Sequence, residues 1–460
     1  MAGPFLGMNM SSLSLRNYQR AMDTIGHNIA NVNTRGYSRQ TVDFSTLQPL
    51  NFYTKGWKSV GQGAVLSSIN RIRDGYLDVS QGNALSQQGK YSATATSLKR
   101  IDAIYGEPSD KGINQALNRF FNSWSGLGSN PNDAAARLEV RLSGQVLTDR
   151  VRNRFNDFQQ LEASQTQQIT GTIDRINGLA DQIASLNAQI TQAVASNGMP
   201  NDLMDQRDLA VADLSKLVNV RKETFPDGSY AVYAAGHTLV QGDAVRPFPT
   251  TFDATTGSVT DGVITYPIRG GELAGHLSGL NETRNQMANL NSLANELRTQ
   301  VNTLHASGIN KQGNTGVNFF QDVLVPPQTG AVDFRLSDEV LASADAIVSG
   351  LTGAAGDGSI AQQLGEMRDL AVANLGGKSF RGFFSDVVTR VASDANYAMN
   401  AADTETAVLG QIEQQMQAVS GVSIDDEMAN LLKMQRSYQA AARAMSIFNE
   451  VSQDLINLGR

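Results

Sequence analysis

Apolar residues recur at helical spacing over most of the chain, and the two ends carry the clearest stripes. Met8, Leu15, Met22 and Ile29 stand seven residues apart, and Ser11, Tyr18, Ile25 and Val32 follow each of them by three places. This a/d pattern predicts an amphipathic helix whose seam wants a partner helix. The opposite end offers one. Ile424, Met428, Leu431, Gln435, Tyr438, Ala442 and Met445 alternate four and three apart, and Phe448, Val451, Leu455 and Leu458 continue a slightly shifted stripe. Ser423 followed by Asp426 supplies an N-cap signal at the start of that helix. Neither terminal helix has a sequence neighbour to cover its apolar face, so the ends are expected to pair, Met8, Leu15, Met22 and Ile29 against Leu431, Tyr438 and Met445.

Between the ends, Ile169, Ile176, Ile183 and Ile190 form a strict heptad column accompanied by Leu179 and Leu186, a rod-like helix that Asn197, Gly198 and Pro200 bring to a stop. A further helix is expected through Leu203, Leu209, Leu214 and Leu217. From Val218 the period shortens to alternation, with a hairpin turn at Pro226, Asp227 and Gly228 before Tyr230, Val232 and Tyr233. Turn signals recur at Gly236, Gly242, Gly257, Gly262 and Gly270. Helical patterning resumes from Asn281 to Leu304, breaks at the Gly308 to Gly316 loop and returns from Ser337. The expected fold is mainly α with a small β-rich domain. Residues 1–50 and 416–460 form the halves of a terminal coiled-coil-like domain, 51–217 and 276–415 the two parts of an elongated helical-bundle domain, and 218–275 an inserted β-rich outer domain.

Composition narrows the function. The chain has 460 residues, more than one core usually serves. Only 18% are charged, against about 25% in an average soluble protein; uncharged polar residues and alanine take their place, as in 161–195, and such surfaces suit packing against copies of themselves. The net charge is −7 with no long basic run, so nucleic acid and anionic membrane are poor partners. No apolar stretch approaches the roughly 18 residues that cross a bilayer. The absence of cysteine excludes disulfides, thiol nucleophiles and cysteine-ligated metals. The first ten residues lack the basic and apolar regions of a Sec-type signal peptide, so any export uses another route.

Catalytic signatures are missing. His27, His237, His276 and His305 are scattered and read as ordinary surface or packing residues. Gly377, Lys378 and Ser379 mimic the end of a phosphate-binding loop, but Val372 stands where its first glycine belongs; Gly61, Gln62 and Gly63 begin a dinucleotide fingerprint that Leu66 fails to complete. The expectation is a structural protein, not an enzyme, with no cofactor and no metal.

The most distinctive stretch is NIANVNTRGYSRQ, Asn28 to Gln40, where the first helix stops. Asn31 and Asn33 suit the free backbone groups of a helix end, and Gly36 suits positive φ. A helix stop alone does not need paired asparagines followed by Arg, Gly-Tyr and Ser-Arg. The segment, with Asn28, Asn31, Asn33, Gly36 and Tyr37 at its centre, resembles the amino-terminal signature of the bacterial flagellar axial proteins, the rod, hook and hook-associated subunits. Its Gly36-Tyr37-Ser38-Arg39-Gln40 ending is similar, within that set, to the FlgK family of hook-associated proteins. Further blocks follow in order: Val65, Ile69, Arg71 and Asp74; Phe120, Phe121, Trp124, Asn130, Pro131 and Arg137; the run Asp202-Leu203-Met204-Asp205-Gln206-Arg207-Asp208; then Ser420 to Ser423, Glu427 to Leu432, Gln435 and Tyr438 to Ala441. The resemblance covers nearly the whole chain. Longer family members carry larger outer insertions than 218–273 and 322–334 provide, so this chain reads as a trimmed member.

The resemblance implies a structural subunit at the junction between hook and filament. It implies export through the flagellar type III system and self-assembly through the paired terminal helices. The implied partners are copies of itself in a ring, hook protein below, a second junction protein (FlgL) above and an export chaperone on the C-terminal helix, at an extracellular site on the flagellum. The residues expected at the subunit interface are Met8, Leu15, Tyr18, Met22, Ile25, Ile29 and Val32 with Met428, Leu431, Tyr438, Ala442, Met445, Phe448 and Leu455. Alternatives are a hook or distal-rod subunit, FlgL itself, and a secreted hydrolase carried on a flagellar scaffold.

Overall fold

The computed structural model describes residues 4–53, 57–322 and 330–458. The first three residues of the N-terminal segment and most of the short 322–334 segment lie outside that set. The chain divides into two compact units, one of 1–86, 175–248 and 405–460, the other of 87–174 and 249–404.

In the first unit, α1 (Pro4–Ala30) is followed by β1 (Gln40–Thr46), β2 (Leu50–Tyr53), β3 (Trp57–Val60) and β4 (Ala64–Arg71). Helical periodicity does not anticipate these four strands. β1 pairs antiparallel with β4 from Gln40↔Arg71 to Thr46↔Ala64, with a bulge between Asp43 and Phe44, and β2 pairs with β3 as a separate hairpin. Helix α2 (Gly75–Tyr105) begins where the Asp74 carboxylate accepts from the Tyr76 N–H at 2.8 Å. After α3 (Ile113–Ser129) come the 62-residue α4 (Ala134–Ala195) and α5 (Asn201–Leu217). Ile169, Ile176, Ile183 and Ile190 of α4 are all fully buried, as a heptad column requires.

Strands β5 (Val220–Thr224), β6 (Tyr230–Ala234), β7 (His237–Gln241) and β8 (Ala244–Val245) form a four-stranded antiparallel meander in the first unit. The turn between β5 and β6 falls at Asp227 and Gly228. The Asp227 carboxylate accepts from the Ser229 N–H at 2.9 Å, and Gly228 takes φ +81°. Strands β9 (Thr251–Asp253), β10 (Ser258–Thr260) and β11 (Thr265–Pro267) form a three-stranded sheet in the second unit.

That second unit holds the large apolar core. α6 (Gly271–Ser307), the short α7 (Asp338–Ala342), α8 (Ser359–Glu366) and α9 (Phe380–Ser420) join α2, α3 and α4. Phe120, Phe121 and Trp124 sit on one face of α3 against Phe319, Phe320, Phe334 and Phe380, all buried, with Phe320 and Phe334 ring centroids 4.6 Å apart. His305 is fully buried among them. Its Nδ1–H donates to the Val317 carbonyl at 2.6 Å and its Nε2 accepts the Val348 N–H at 2.9 Å, which fixes a neutral imidazole between two loops. Burial pushes its pKa down to about 4, and the nearby Arg137 adds to the effect against the Val317 hydrogen bond.

Helix α10 (Ile424–Leu458) ends the chain and belongs to the first unit. Ser423 caps it, its hydroxyl accepting from the Asp426 N–H at 3.4 Å.

Candidate assembly interface and the ionic hub behind it

The terminal helices pack antiparallel: Gly7 lies against the Phe448 ring at one end, and Asn28 donates to the Glu427 carboxylate at 3.2 Å at the other. The close approach at the first end depends on the missing side chain, since a Cβ on Gly7 would stand 2.6 Å from that ring.

On α1 the seam residues Ser11 and Ile25 are buried, while Met8, Leu15, Tyr18, Met22 and Ile29, with Val32 just beyond the helix, are half-buried. On α10, Leu431, Tyr438, Ala442 and Met445 are half-buried against α1, whereas Met428, Phe448 and Leu455 are exposed. The α10 seam drifts as its stripe does. Ile447, Val451, Ile456 and Leu458 are exposed as well, and the described side chains of α10 that are fully buried are Glu427 and Ser452. A single chain therefore covers one side of its terminal helix and leaves a second apolar side open.

Behind this pair, the signature turn is built into a polar network. Asn28 is 1% exposed and uses its whole amide: Nδ2 donates to the Gln40 carbonyl and to Glu427, and Oδ1 accepts from the Gln40 N–H at 3.0 Å and from the Tyr37 hydroxyl at 2.7 Å. Asn31 closes the helix end, Nδ2 donating to the His27 carbonyl at 3.0 Å and Oδ1 accepting from Thr34 at 3.0 Å. Asn33 is exposed. Gly36 takes φ +82°, and a Cβ there would meet Leu209 at 3.3 Å. Burial, then the carboxylates of Asp202, Asp205 and Glu427, push the Tyr37 hydroxyl well above its ordinary pKa, so it stays a donor.

The run Asp202 to Asp208 faces this turn from α5. The Asp205 carboxylate accepts from the Ser38 N–H and hydroxyl at 2.9 and 2.8 Å and from Arg71 at 2.7 Å. Asp202 accepts from Gln40 at 2.9 Å. Asp208 is bound by Arg71 and Arg73, each at 3.0 Å, and by the Tyr230 hydroxyl at 2.8 Å, with Lys222 3.5 Å away. Burial resists its charge, but Arg73, Lys222, Arg71 and the tyrosine hydroxyl outweigh that and hold its pKa at about 2. Arg207 turns the other way, stacking 3.4 Å over the Tyr230 ring and donating to Asn187 at 2.8 Å. The hub reaches α10 through Arg39, whose Nε meets the buried Glu427 carboxylate at 2.7 Å.

Each of these carboxylates is already engaged by cations or donors, which makes the arrangement a clamp and not an acid–base site. Among the described residues no group of three or more histidines and carboxylates is placed to hold a metal, and no helix is long and apolar enough to cross a membrane. Periodicity anticipates α1 and α10 as helices, but it does not assign a role to Arg39, Arg71, Arg73, Asp205, Asp208 or Glu427. Their signal was the concentration of opposite charges in separate blocks of a chain poor in charge.

A model of the helical domain of flagellar hook-associated protein FlgK matches residues 98–320, a model of the flagellar basal body rod protein matches 10–37, and one of the C-terminal region of the rod proteins FlgEFG matches 413–458. Flagellar hook-associated protein 1 of Bacillus subtilis is 26% identical over 501 aligned residues, covering 99% of both chains; that of Salmonella typhimurium is 25% identical over 559, covering 98% of this chain and 99% of its own.

Over nearly its whole length the chain is similar to the FlgK family of flagellar axial proteins.

Both alignments are longer than 460 residues, so these relatives carry segments that this chain lacks. The solved structure of the flagellar hook junction protein FlgK from Burkholderia pseudomallei, 18% identical, superposes with a TM-score of 0.64 over 74% of this chain and all of its own, and shares the fold. The relatives are structural flagellar proteins, not enzymes, and the chain is a structural component of the bacterial flagellum. The two rod-protein matches fall on α1 with the signature turn and on α10, the elements joined by Asn28 and Glu427.

Proposed function

We propose that this chain is the extracellular subunit that joins hook to filament, a collar of copies with hook protein below and the second junction protein FlgL above. The observation that carries this reading is the open apolar side of α10, with Ile447, Val451, Leu455 and Leu458 exposed beside a helix pair that the ionic hub already fixes. Burying such a side chain is worth about 1.5–3 kcal/mol, so four of them in a contact with neighbouring copies supply a substantial driving force. The terminal helices have few fully buried apolar side chains of their own, Ala21 and Ile25 on α1. They are marginal without further cover, which suits a chain exported unfolded through the flagellar type III channel and ordered on arrival. A chaperone on α10 would shield the same open side before export. Lack of cysteine keeps the threading chain free of covalent crosslinks.

A hook or distal-rod role is the second reading, favoured by the two rod-protein matches at the ends. A deletion strain separates them. The junction role predicts intact hooks, no filaments and flagellin monomers in the medium; loss of the hooks themselves would assign the chain to the rod or hook.

A further inference from the structure

The hairpin β2–β3 leaves most of its described side chains exposed. Its strands are four residues each and pair from Leu50↔Val60 to Tyr53↔Trp57. Tyr53 and Trp57 meet edge to face with ring centroids 5.8 Å apart, yet they are 70% and 79% exposed, and Leu50 is exposed with them. A lone two-stranded hairpin is marginal in water, and aromatic rings held out into solvent do little for the chain that carries them. Tyr and Trp are also the side chains that most often anchor interfaces. The hairpin grows out of the β1–β4 pair, which is fastened to α1 where Asn17 donates to the Ala64 carbonyl at 2.7 Å.

A second uncovered surface lies at the end of α10. From Ser446 to Leu458 the helix exposes Ile447, Val451, Leu455 and Leu458 along one side, edged by the exposed carboxylates Glu450 and Asp454, with no basic residue among them. The hairpin region has the opposite character. Between Phe44 and Arg73 the sequence has no acidic residue; Arg71 and Arg73 are held in the hub, and Lys58, next to Trp57, is exposed.

We propose that the β2–β3 hairpin of one copy docks on the end of α10 of the next, with Tyr53 and Trp57 lying on Val451 and Leu455. This inference rests on the self-association read above, and deepens it by naming the two surfaces that meet. Lys58 points to the other face of the hairpin, but a ribbon two strands wide keeps it within a Debye length, about 8 Å, of the Glu450 and Asp454 edge. The two patches differ, so the contact is head-to-tail, and each copy offers one patch of each kind. Such contacts repeat from copy to copy and close into a ring when the rotation between neighbours allows.

A cysteine-free chain makes the test clean. The full chain carrying Trp57→Cys with Val451→Cys is oxidised at concentrations where sedimentation shows the unaltered chain assembling. The proposal predicts a reducible ladder of covalent multimers, and at most dimers from either substitution alone. Trp57→Ala should weaken association about thirtyfold, as loss of an aromatic anchor does; Lys58→Glu should weaken it about tenfold, with recovery when Glu450→Lys and Asp454→Lys are added. Assembly without crosslinking, or a disulfide formed only within one chain, overturns the docking and leaves the junction role standing. Failure of the unaltered chain to associate at any concentration overturns the self-association on which both depend.

Discussion

Helices α3 and α10 are both amphipathic, and they treat their apolar faces in opposite ways. α3 turns Ile113, Leu117, Phe120, Phe121, Trp124 and Leu127 into a closed interior, where the rings of His305, Phe319, Phe320 and Phe380 meet them. α10 buries Glu427 and Ser452 and shows Ile447, Val451, Leu455 and Leu458 to solvent. The unit around α3 is complete in one chain. Around α10 itself the polar contacts are complete, with Asp205, Asp208 and Glu427 neutralised by Arg71, Arg73 and Arg39, while its apolar side stays open. The difference shows how a building block divides its work: one unit supplies stability from its own rings, while the other holds a joining surface in shape with charges and leaves the apolar contact to be made.

Breaking the closed interior should cost most. Trp124→Ala removes a fully buried indole at the centre of the ring cluster and is expected to lower stability by about 4 kcal/mol, read as a shifted denaturant midpoint, with the hub still intact. Asp208→Asn should cost about 3 kcal/mol, because the half-buried Arg71, Arg73 and Lys222 then lose the buried anion they share. This loss should appear as destabilisation of the 1–86, 175–248 and 405–460 unit, monitored by hydrogen exchange at β4, α5 and β5.

Acid should separate the two units in order. Above pH 6.5 His305 is neutral folded or unfolded; as pH falls from 6.5 towards 4 the unfolded chain takes a proton that the buried imidazole refuses. The stability it confers is thus present above 6.5 and falls by about 3 kcal/mol over that window. The carboxylate of Asp208 keeps its contribution above pH 3.8 and loses it only as pH drops towards 2. Thermal melts at pH 7, 5 and 4 should therefore show the ring-filled unit weakening first, and His305→Gln should flatten that response. A smaller effect is expected of Tyr230→Phe, which deletes one donor to Asp208 and should cost about 1 kcal/mol by denaturant unfolding.

Much of this architecture was legible in the sequence where spacing carries information. The isoleucine column 169–190, the Asp227-Gly228 turn and the two terminal stripes each follow from a period or a turn residue, and the structure places helices and a hairpin there. Strands 40–71 were not legible. Between Gln40 and Arg71, β1 and β4 are seven and eight residues long, but a bulge at Asp43 and Phe44 interrupts their pairing and neither strand buries alternate residues, so no period of two shows. The signature turn was legible as a motif, but its meaning was not. Asn28 looks like one more polar residue near a helix end, and only the fold reveals that Gln40, Tyr37 and Glu427, the last 399 residues away, share its amide. Pairing between distant blocks such as Arg71 with Asp205 leaves no trace in local periodicity.

The central claim is that the open side of α10 is for joining and not for holding the chain together. The most direct measurement replaces Val451 and Leu455 by Asp, melts the purified full chain, and examines flagella in a strain carrying only that variant. The account predicts a melt within about 0.5 kcal/mol of the unaltered chain, as for substitutions at exposed positions, together with hooks that bear no filaments. Normal filaments, or a chain that no longer folds, would contradict it.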